Sequence, residues 1–380
     1  MAGARQSRTT TDGTRTSMRE RQLTSGDVAR YAGLSVATVS RVMHDSPRVS
    51  PEARRRVEEA VAALGYTPNA LARGLVTRTT RTIAVLVSSI ADPFWAEIIR
   101  GIEDQAVEAG YAAFIASSYE DARREEKAIT LFRQKRVDGI VIGASSRGPE
   151  VLWRRDASAP PVVFINNEHI EPEDEVTGQA SFIPGAEAAE PSALTHAYRI
   201  AGDDRRGARM LTDHLLSLGH RRIAYIGAIG RATSLRRLHG FRQAMEEARV
   251  AIDETLVIAT DEGANAGELS TFRLLTSEAR PTALFCYDDM TALGALRAVR
   301  ALDLRCPQDV SVVGFDDIPI AAYLEPSLTT VRQPMHEMGG RAMQVLLELL
   351  GGGKPPRRVI MPGELALRAS SGPAPDRAAG

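Results

Sequence analysis

Residues 24–43 read TSGDVARYAGLSVATVSRVM, and this stretch decides how the amino-terminal part of the chain folds. Thr24 or Ser25 can cap a first short helix, and Gly33 can end it. A second helix of apolar and small polar residues then runs from Val36 to Met43. Two short helices joined by a tight turn at a glycine predict a helix-turn-helix.

The charge around this motif favours a polyanionic partner. Residues 1–80 contain 13 Arg and 7 acidic residues, a net charge of +6, whereas residues 81–380 contain 34 basic and 41 acidic residues, a net charge of −7. A basic head on an acidic body is expected when only the head contacts a polyanion. Charge alone leaves a solvated basic tail open as the alternative.

The second helix would enter the major groove of DNA with its amino-terminal residues. Arg41 can reach a phosphate or a guanine edge, and Thr38 and Ser40 can bind phosphate. Val36 and Ala37 can press on thymine methyl groups. A small helical bundle that binds another protein is the alternative reading of the same pattern.

The flanking segments complete the amino-terminal organisation. Residues 1–22 are polar and without periodicity, so we expect a disordered arm rather than a secretory signal. Pro51 begins a third helix that Gly65 ends. We therefore predict a DNA-binding domain at residues 23–68, after which Asn69 can cap a short fourth helix.

In residues 81–370 the sequence pattern changes. Short apolar runs alternate with segments whose apolar residues recur at the spacing of an α-helix. Continuous apolar strands between helices predict parallel sheets covered on both faces, and about 290 residues exceed one compact unit. We predict two parallel-sheet α/β subdomains, followed by a tail at residues 371–380. The predicted strands are Ile83–Val87, Tyr111–Ala116, Gly139–Ile142, Val162–Ile165, Ile223–Ile226, Leu256–Ala259, Ala283–Cys286, Val310–Phe315 and one near Arg358–Met361.

Residues 168–197 interrupt this alternation with seven acidic residues, three Pro and no Lys or Arg. We expect a long surface loop there, partly disordered. A lid over a pocket and a loop without a role both remain open.

Composition excludes several classes of protein. With 43% hydrophobic residues in 380, the chain is neither fibrous nor wholly disordered, and no apolar run approaches the roughly 20 residues that span a bilayer. Cys286 and Cys306 lie outside any disulfide framework or metal-ligand spacing. We expect a reduced cytoplasmic protein with no cofactor, no metal and no membrane partner.

Enzymatic motifs are absent from the sequence. There is no Gly-x-Ser-x-Gly elbow, and Gly351-Gly-Gly-Lys354 is followed by Pro355, which a phosphate-binding loop does not allow. Asp316 and Asp317 are adjacent after a strand, so their side chains should diverge instead of forming an acid/base pair. We predict no catalytic residues.

Several ordered motifs resemble the LacI/GalR family of bacterial repressors, from Leu23 to Arg368. They include the run Asp27–Met43, Arg48-Val-Ser-Pro51, Gly65-Tyr-Thr-Pro-Asn69, Asp92-Pro-Phe-Trp95, Val137-Asp-Gly-Ile-Val-Ile142, Leu218-Gly-His-Arg-Arg-Ile-Ala-Tyr225, Val313-Gly-Phe-Asp-Asp317 and Pro326-Ser-Leu-Thr-Thr-Val-Arg-Gln-Pro334. The resemblance implies a helix-turn-helix headpiece followed by two subdomains of periplasmic-binding-protein-like fold.

The resemblance also implies a hinge helix with a linker at residues 69–80, and this helix would fold on operator DNA and lie in the minor groove. Leu75 matches a position that wedges into the central base step, with Ala72 and Arg73 beside it. A packed hinge residue is the alternative for Leu75. Thr24, His44 and Asn69 complete the residues that we predict to bind DNA.

The body would hold a small effector beyond the carboxyl ends of its strands. Polar residues follow several strands there, and most of the serines are typical of helix caps. By resemblance, Arg237, Asp288 and Asp316 would bind ligand oxygens, and Phe94 and Trp95 would stack on a sugar or base, unless one of them packs at a dimer interface. The predicted effector-binding residues are Asp92, Phe94, Trp95, Ser145, Arg237, Asp288 and Asp316.

Asp288-Asp289 departs from the family, which more often has Asn and then Asp. An acceptor-only group therefore replaces an amide, which disfavours an anionic contact at that position.

These observations predict a sequence-specific transcriptional regulator, a repressor of LacI type. We expect a homodimer on near-palindromic double-stranded DNA, with a carbohydrate or related polyol controlling operator affinity. Ile98, Ile99 and Ile102 are the candidate dimer face. A solute-binding receptor and a sugar- or nucleoside-processing enzyme are the alternatives. The sequence leaves open the identity of the effector, whether it raises or lowers operator affinity, and the base sequence of the operator.

Overall fold

A computed structural model describes residues 23–43, 46–67, 79–143, 159–166, 197–229 and 231–375. The chain forms two compact units, Met1–Arg78 and Thr79–Gly380, referred to below as the headpiece and the body. The fold is an amino-terminal helix-turn-helix followed by two parallel-sheet α/β subdomains, as predicted.

The headpiece contains helices α1, α2 and α3. Thr24 caps α1 through a reciprocal capping box with Asp27, and Gly33 ends it in the left-handed conformation at φ 62°. Arg56 of α3 donates a 2.6 Å hydrogen bond to the carbonyl of Ala32, which ties α3 to this turn. The helices span Ser25–Ala32, Val36–Met43 and Pro51–Leu64.

A small apolar core holds the three helices together. Each helix contributes the side chains of one face, as expected for short amphipathic helices. The fully enclosed members are Val28, Ala29, Ala32, Val39, Val42, Val57 and Ala60.

The body begins with a six-stranded sheet of order β11-β5-β4-β3-β1-β2, in which every pair is parallel. We call this sheet with its helices the first subdomain. Helices α4 and α10 pack on one another and α10 also packs on the sheet. Its elements are β1 Thr82–Val87, α4 Pro93–Glu108, β2 Ala112–Ser117, α5 Ala122–Gln134, β3 Gly139–Gly143, β4 Val162–Ile165, β5 Tyr198–Gly202, α10 Met335–Leu350 and β11 Arg358–Met361.

The second subdomain is built on a four-stranded parallel sheet of order β7-β6-β8-β9. A short antiparallel pair, β10 with β12, lies beside it. Its elements are α6 Asp204–Ser217, β6 Ile223–Ala228, α7 Ala232–Glu247, β7 Val257–Thr260, α8 Ala264–Thr276, β8 Ala283–Cys286, α9 Asp289–Ala301, β9 Ser311–Val313, β10 Thr330–Arg332 and β12 Glu364–Ala366, with 3₁₀ turns at Glu254–Leu256 and Pro319–Tyr323.

The chain crosses between the subdomains three times. It passes from β5 to α6, from β10 to α10, and from β11 to β12. These three crossovers are the backbone connections between the two subdomains. The segments that carry them include Gly202–Asp203 and Gln333–Pro334.

All nine predicted strands are present, with ends shifted by at most a few residues. The sequence pattern missed β5, β10 and β12, which are only partly apolar. The predicted loop at residues 168–197 lies outside the described residues except for Ala197, as do the arm at residues 1–22 and the last five residues of the tail.

The predicted dimer face on α4 is wrong. Ile98, Ile99 and Ile102 are buried within the chain, where α4 packs against α10. The two helix backbones approach so closely that a Cβ on Gly101 would lie 1.9 Å from the carbonyl oxygen of His336. This side of α4 is therefore filled by the chain's own helix.

Candidate functional site

The exposed face of α2 carries the residues predicted to read DNA. Val36 is 51% exposed, and Ala37, Ser40 and Arg41 are exposed as well. Val39 and Val42, on the opposite face, are buried in the headpiece core. The helix therefore packs by one side and presents the other to solvent, which is the arrangement of a recognition helix.

The polar residues predicted to bind DNA differ in whether their side chains already have partners within the headpiece. The Thr38 hydroxyl is 2.9 Å from the Ser35 hydroxyl, and the backbone N–H of Thr38 donates to Ser35 Oγ. Thr24 is likewise engaged, because its hydroxyl donates to Asp27 at 2.7 Å. Arg41 forms no ion pair with any described residue, so its guanidinium is available to a nucleic acid.

In the body, Asp92 caps the amino end of α4, just after β1. Its Oδ1 accepts the backbone N–H of Phe94 at 3.0 Å. Burial raises the pKa of Asp92 to about 6, and Asp288 and Glu262 of the second subdomain act in the same direction. The hydrogen bond from Phe94 and the charge of Arg231 act on this pKa in the opposite direction.

Phe94 and Trp95 pack edge to face with ring centroids 5.1 Å apart. They are only 8% and 4% exposed, and Trp95 lies over Gly143 at the end of β3, where a Cβ would come within 2.2 Å of its ring. Both rings belong to the core of the body. Stacking of either ring on a ligand stays a prediction.

Arg237 is 2% exposed and makes a contact with each nitrogen of its guanidinium. It donates to Asp204 at 2.9 Å, to the Tyr287 carbonyl at 2.6 Å and to Asp316 at 3.3 Å. Burial alone would lower the pKa of Arg237, but Asp204 and Asp316 raise it above its usual range. The guanidinium also lies 3.8 Å from the centroid of the Phe315 ring.

Asp316 and Asp317 diverge after β9, as expected from their adjacency. Burial raises the pKa of Asp316, which accepts from Gln333 at 2.6 Å as well as from Arg237. Asp317 turns the other way and pairs with Arg332 and Arg368 at 2.7 and 2.6 Å. Asp316 has a backbone φ of 117°, a conformation that a non-glycine residue adopts only where its surroundings hold it.

Asp288 and Asp289 follow β8 and have separate roles. Asp288 caps α9 by accepting the backbone N–H of Thr291 at 2.7 Å. Asp289 is buried and accepts from the Thr330 hydroxyl at 2.6 Å and from the Ile318 N–H at 2.9 Å. Burial raises the pKa of Asp289 to about 8. Asp289 therefore joins α9 to β10, while Asp288 caps the amino end of α9.

Comparison with known proteins identifies both parts of the chain. Residues 24–69 match the family described as bacterial regulatory proteins, lacI family, and residues 212–371 match the periplasmic binding protein-like domain. The chain is 34% identical over 349 residues to the HTH-type transcriptional regulator DegA of Bacillus subtilis, covering 91% of this chain and 97% of that protein. The chain belongs to the LacI family.

Solved structures of this family extend the similarity to the whole architecture. The lac repressor dimer bound to operator and the anti-inducer ONPF superposes with a TM-score of 0.78 at 26% identity, over 93% of this chain and 100% of that one. The complex of the transcriptional regulator CelR with cellobiose gives a TM-score of 0.65 at 31% identity, over 92% and 99%. This LacI-family chain is therefore a DNA-binding transcriptional regulator and not an enzyme.

The effector residues predicted from the sequence fall into two groups in the LacI-family body. Arg237 and Asp316 are in direct contact, and Asp288 contributes to the electrostatic environment of Arg237, Asp316 and Asp92. The second group is Phe94 and Trp95, which lie shortly after Asp92 in the sequence and are buried in the core of the body. The remaining predicted positions, His44, Asn69, Ala72, Arg73, Leu75 and Ser145, lie outside the described residues.

Sequence reasoning missed one arginine at the boundary between the subdomains. Arg231 precedes α7 and forms ion pairs with Glu262, which follows β7, and with Glu120, which follows β2 in the first subdomain. A scan for polar residues after the ends of β2 and β7 would have found both glutamates. Gln333 was also missed, although it stands in a motif that carried the family resemblance.

Two negative findings apply to the part of the chain that the structure describes. Within it, no helix combines the length and the apolar composition needed to cross a bilayer. The same residues contain no group of three or more His, Cys, Asp or Glu side chains placed to hold a metal ion.

Proposed function

We propose that this regulator binds a near-palindromic operator as a homodimer, and that a carbohydrate or related polyol in the body controls its operator affinity. The DNA-reading residues would be those on the exposed face of α2, with the hinge residues predicted from the resemblance. The protein would act in the cytoplasm, where bacterial operators are found.

The network around Arg237 carries the proposal for effector control. Asp204, which Arg237 contacts, is the first residue of α6 and directly follows the crossover from β5. Gln333, which binds Asp316, lies in the crossover from β10 to α10. A ligand that contacts Arg237 or Asp316 would therefore act on two of the three crossovers at once.

This placement supports a two-state mechanism. Ligand binding would favour one orientation of the subdomains, because the Arg237 network contacts two of the crossovers that join them. The complex of CelR with cellobiose supports a carbohydrate as the class of ligand. Whether the effector raises or lowers operator affinity depends on which orientation of the subdomains favours the hinge helices on DNA.

The dimer interface we propose lies away from α4. Phe114 and Ile115 are exposed on β2, the edge strand of the first sheet. Leu269 and Phe272 are exposed on α8 of the second subdomain. Exposed apolar side chains on an edge strand and on a surface helix are typical of surfaces that a partner covers.

Selection of bound duplexes from a random library tests the proposal. We expect a near-palindromic sequence with steeply salt-dependent affinity, because phosphate contacts release counterions. The selected duplex is then titrated with a panel of sugars and polyols. No enrichment with or without the panel would contradict operator binding, and enrichment that no panel member alters would contradict carbohydrate control.

A further inference from the structure

The segments that lead into the strands of the first subdomain are rich in cations. Because all six strands are parallel, their amino ends lie at one edge of the sheet. The described residues directly before these strands are 79–81, 109–111, 135–138, 159–161, 197 and 351–357. They contain one anion, Asp138, and five cations, which we call the basic edge: Arg81, Lys135, Arg136, Lys354 and Arg357.

The one anion among these residues is engaged with the backbone. The carboxylate of Asp138 accepts the N–H groups of Thr80 and Arg81, each at 2.8 Å. Three cations of the basic edge are exposed and form no ion pair with any described residue, namely Lys135, Arg136 and Lys354. Their charge is therefore open to a partner from outside the body.

The matching edge of the second subdomain is balanced in charge. The segments that join its helices to the next strand of its parallel sheet are 218–222, 248–256, 277–282 and 302–310, and they contain five cations and five anions. Residues 81–380 as a whole have a net charge of −7. The excess of cations is therefore local to the first subdomain and does not follow from the composition of the body.

The basic edge is also where the chain enters the body. The body begins at Thr79, three residues before β1. The carboxyl ends of the two sheets face one another, because Glu120 after β2 pairs with Arg231 after β6, so the amino edges of the two sheets lie at opposite ends of the body. Residues 68–78 join Thr79 to the described part of the headpiece, and a segment of this length spans at most about 40 Å. Such a tether gives the basic edge a high effective concentration near any duplex that the headpiece holds.

We propose that the basic edge is a second DNA-binding surface, which contacts phosphates of the duplex that the headpiece holds. Lys135, Arg136 and Lys354 bind phosphate oxygens there and read no bases. The DNA backbone is a dense polyanion, so it attracts this edge and repels the acidic remainder of the body. The contact therefore adds sequence-independent affinity and turns the first subdomain toward the DNA.

The salt dependence of DNA binding tests this surface. The full-length protein is titrated at a series of salt concentrations, by fluorescence anisotropy, against the selected operator and an unrelated duplex of the same length. In the triple variant Lys135→Gln, Arg136→Gln, Lys354→Gln, we expect the slope of log affinity against log salt concentration to become shallower by at least about 1, because each phosphate contact contributes about 0.9. Both duplexes should be affected alike, since phosphate contacts carry no sequence information.

Two further variants control for net charge and for folding. The triple variant Arg222→Gln, Arg249→Gln, Arg300→Gln removes three cations that are exposed, form no ion pair with a described residue and lie at the amino edge of the second subdomain, and it should keep the wild-type slope. The conservative variant Lys135→Arg, Arg136→Lys, Lys354→Arg should keep it as well.

An unchanged slope in the glutamine variant of the basic edge, as expected if this edge binds an acidic protein, would overturn the inference. An equal change in the Arg222, Arg249 and Arg300 variant, or in the conservative variant, would overturn it too. A change confined to the operator would also overturn it, because it would indicate contacts that depend on base sequence.

Discussion

Arg231 in the second subdomain forms an ion pair with Glu120 in the first. The pair joins the subdomains through side chains, whereas the three crossovers join them through the backbone. Because Arg231 is also held by Glu262, its position is set by the second subdomain and Glu120 is the group that a reorientation would release. The pair therefore favours the subdomain arrangement seen here.

Replacing Glu120 should weaken this arrangement. We expect Glu120→Gln to change the apparent affinity for the effector about fivefold, the effect of losing about 1 kcal/mol from a partly exposed pair, with a decrease if the effector favours this arrangement and an increase if it favours the other. Calorimetric titration of the effector measures it. Glu254→Gln is the control, since the 2.6 Å pair of Glu254 with Arg242 lies within the second subdomain. An unchanged affinity in Glu120→Gln would show that the pair does not bias the orientation.

Arg41 provides the sharpest test of the DNA face. We expect Arg41→Ala to reduce affinity for the selected operator by about 1–3 kcal/mol if the side chain reads a guanine, with a smaller loss on unrelated DNA. Fluorescence anisotropy with both duplexes separates the two effects. Arg55→Ala is the matched control, because Arg55 is exposed on α3 and paired with Glu59 at 2.9 Å. Equal losses on both duplexes would make Arg41 a phosphate contact.

The sequence predicted the elements well where the pattern was strong and local. The cap at Thr24, the start of the third helix at Pro51 and the buried strands of both sheets follow from short-range periodicity and capping chemistry. The partners of Arg237 and Arg231 cannot be predicted in this way, because they come from segments 31 to 111 residues away. The dimer face failed for the same reason. An apolar stripe does not reveal whether its partner is another molecule or α10.

We expect Gly33 to contribute to the stability of the headpiece. A Cβ at this position would lie 2.8 Å from Arg56 Nη2, and its φ of 62° is costly for alanine. We expect Gly33→Ala to destabilise the headpiece by about 1–2 kcal/mol and to weaken operator binding, as followed by protease sensitivity and anisotropy. Gly26→Ala is the control, because a Cβ there makes only an ordinary 3.4 Å contact inside α1. Equal behaviour of the two variants would contradict this role.

Arg237 should matter for the response and not for DNA binding itself. Arg237→Lys keeps the charge, but one ammonium cannot reproduce the fork that serves Asp204, Asp316 and the Tyr287 carbonyl. We expect operator affinity without effector to be retained and its change on adding effector to be lost; Asp316→Ala should behave likewise. Arg236→Lys, which alters a second donor to Asp204, is the control. A full response in Arg237→Lys would remove this network from the mechanism.

His220 should make the body less stable in acid. It is fully buried between the hydroxyls of Thr282 and Ser311 and the carbonyl of Gly372, near His214 and Arg221. Burial lowers the pKa of His220, so the unfolded chain takes up a proton below about pH 6.5 that the folded chain resists. Stability is therefore complete above that pH and falls as the pH drops below it, by at most about 1.4 kcal/mol per pH unit for one proton.

Thermal unfolding of the wild type and His220→Gln between pH 7.5 and 5.5 (about the range in which histidine titrates) measures this effect. We expect the variant to be less stable at the upper pH, because it loses hydrogen bonds, and to show a shallower decline toward the lower one. Asp92 and Asp289, whose pKa values burial raises to about 6 and about 8, act in the opposite direction. They are present in both proteins, so the difference between the two slopes isolates His220. Parallel slopes would assign the acid sensitivity to other groups.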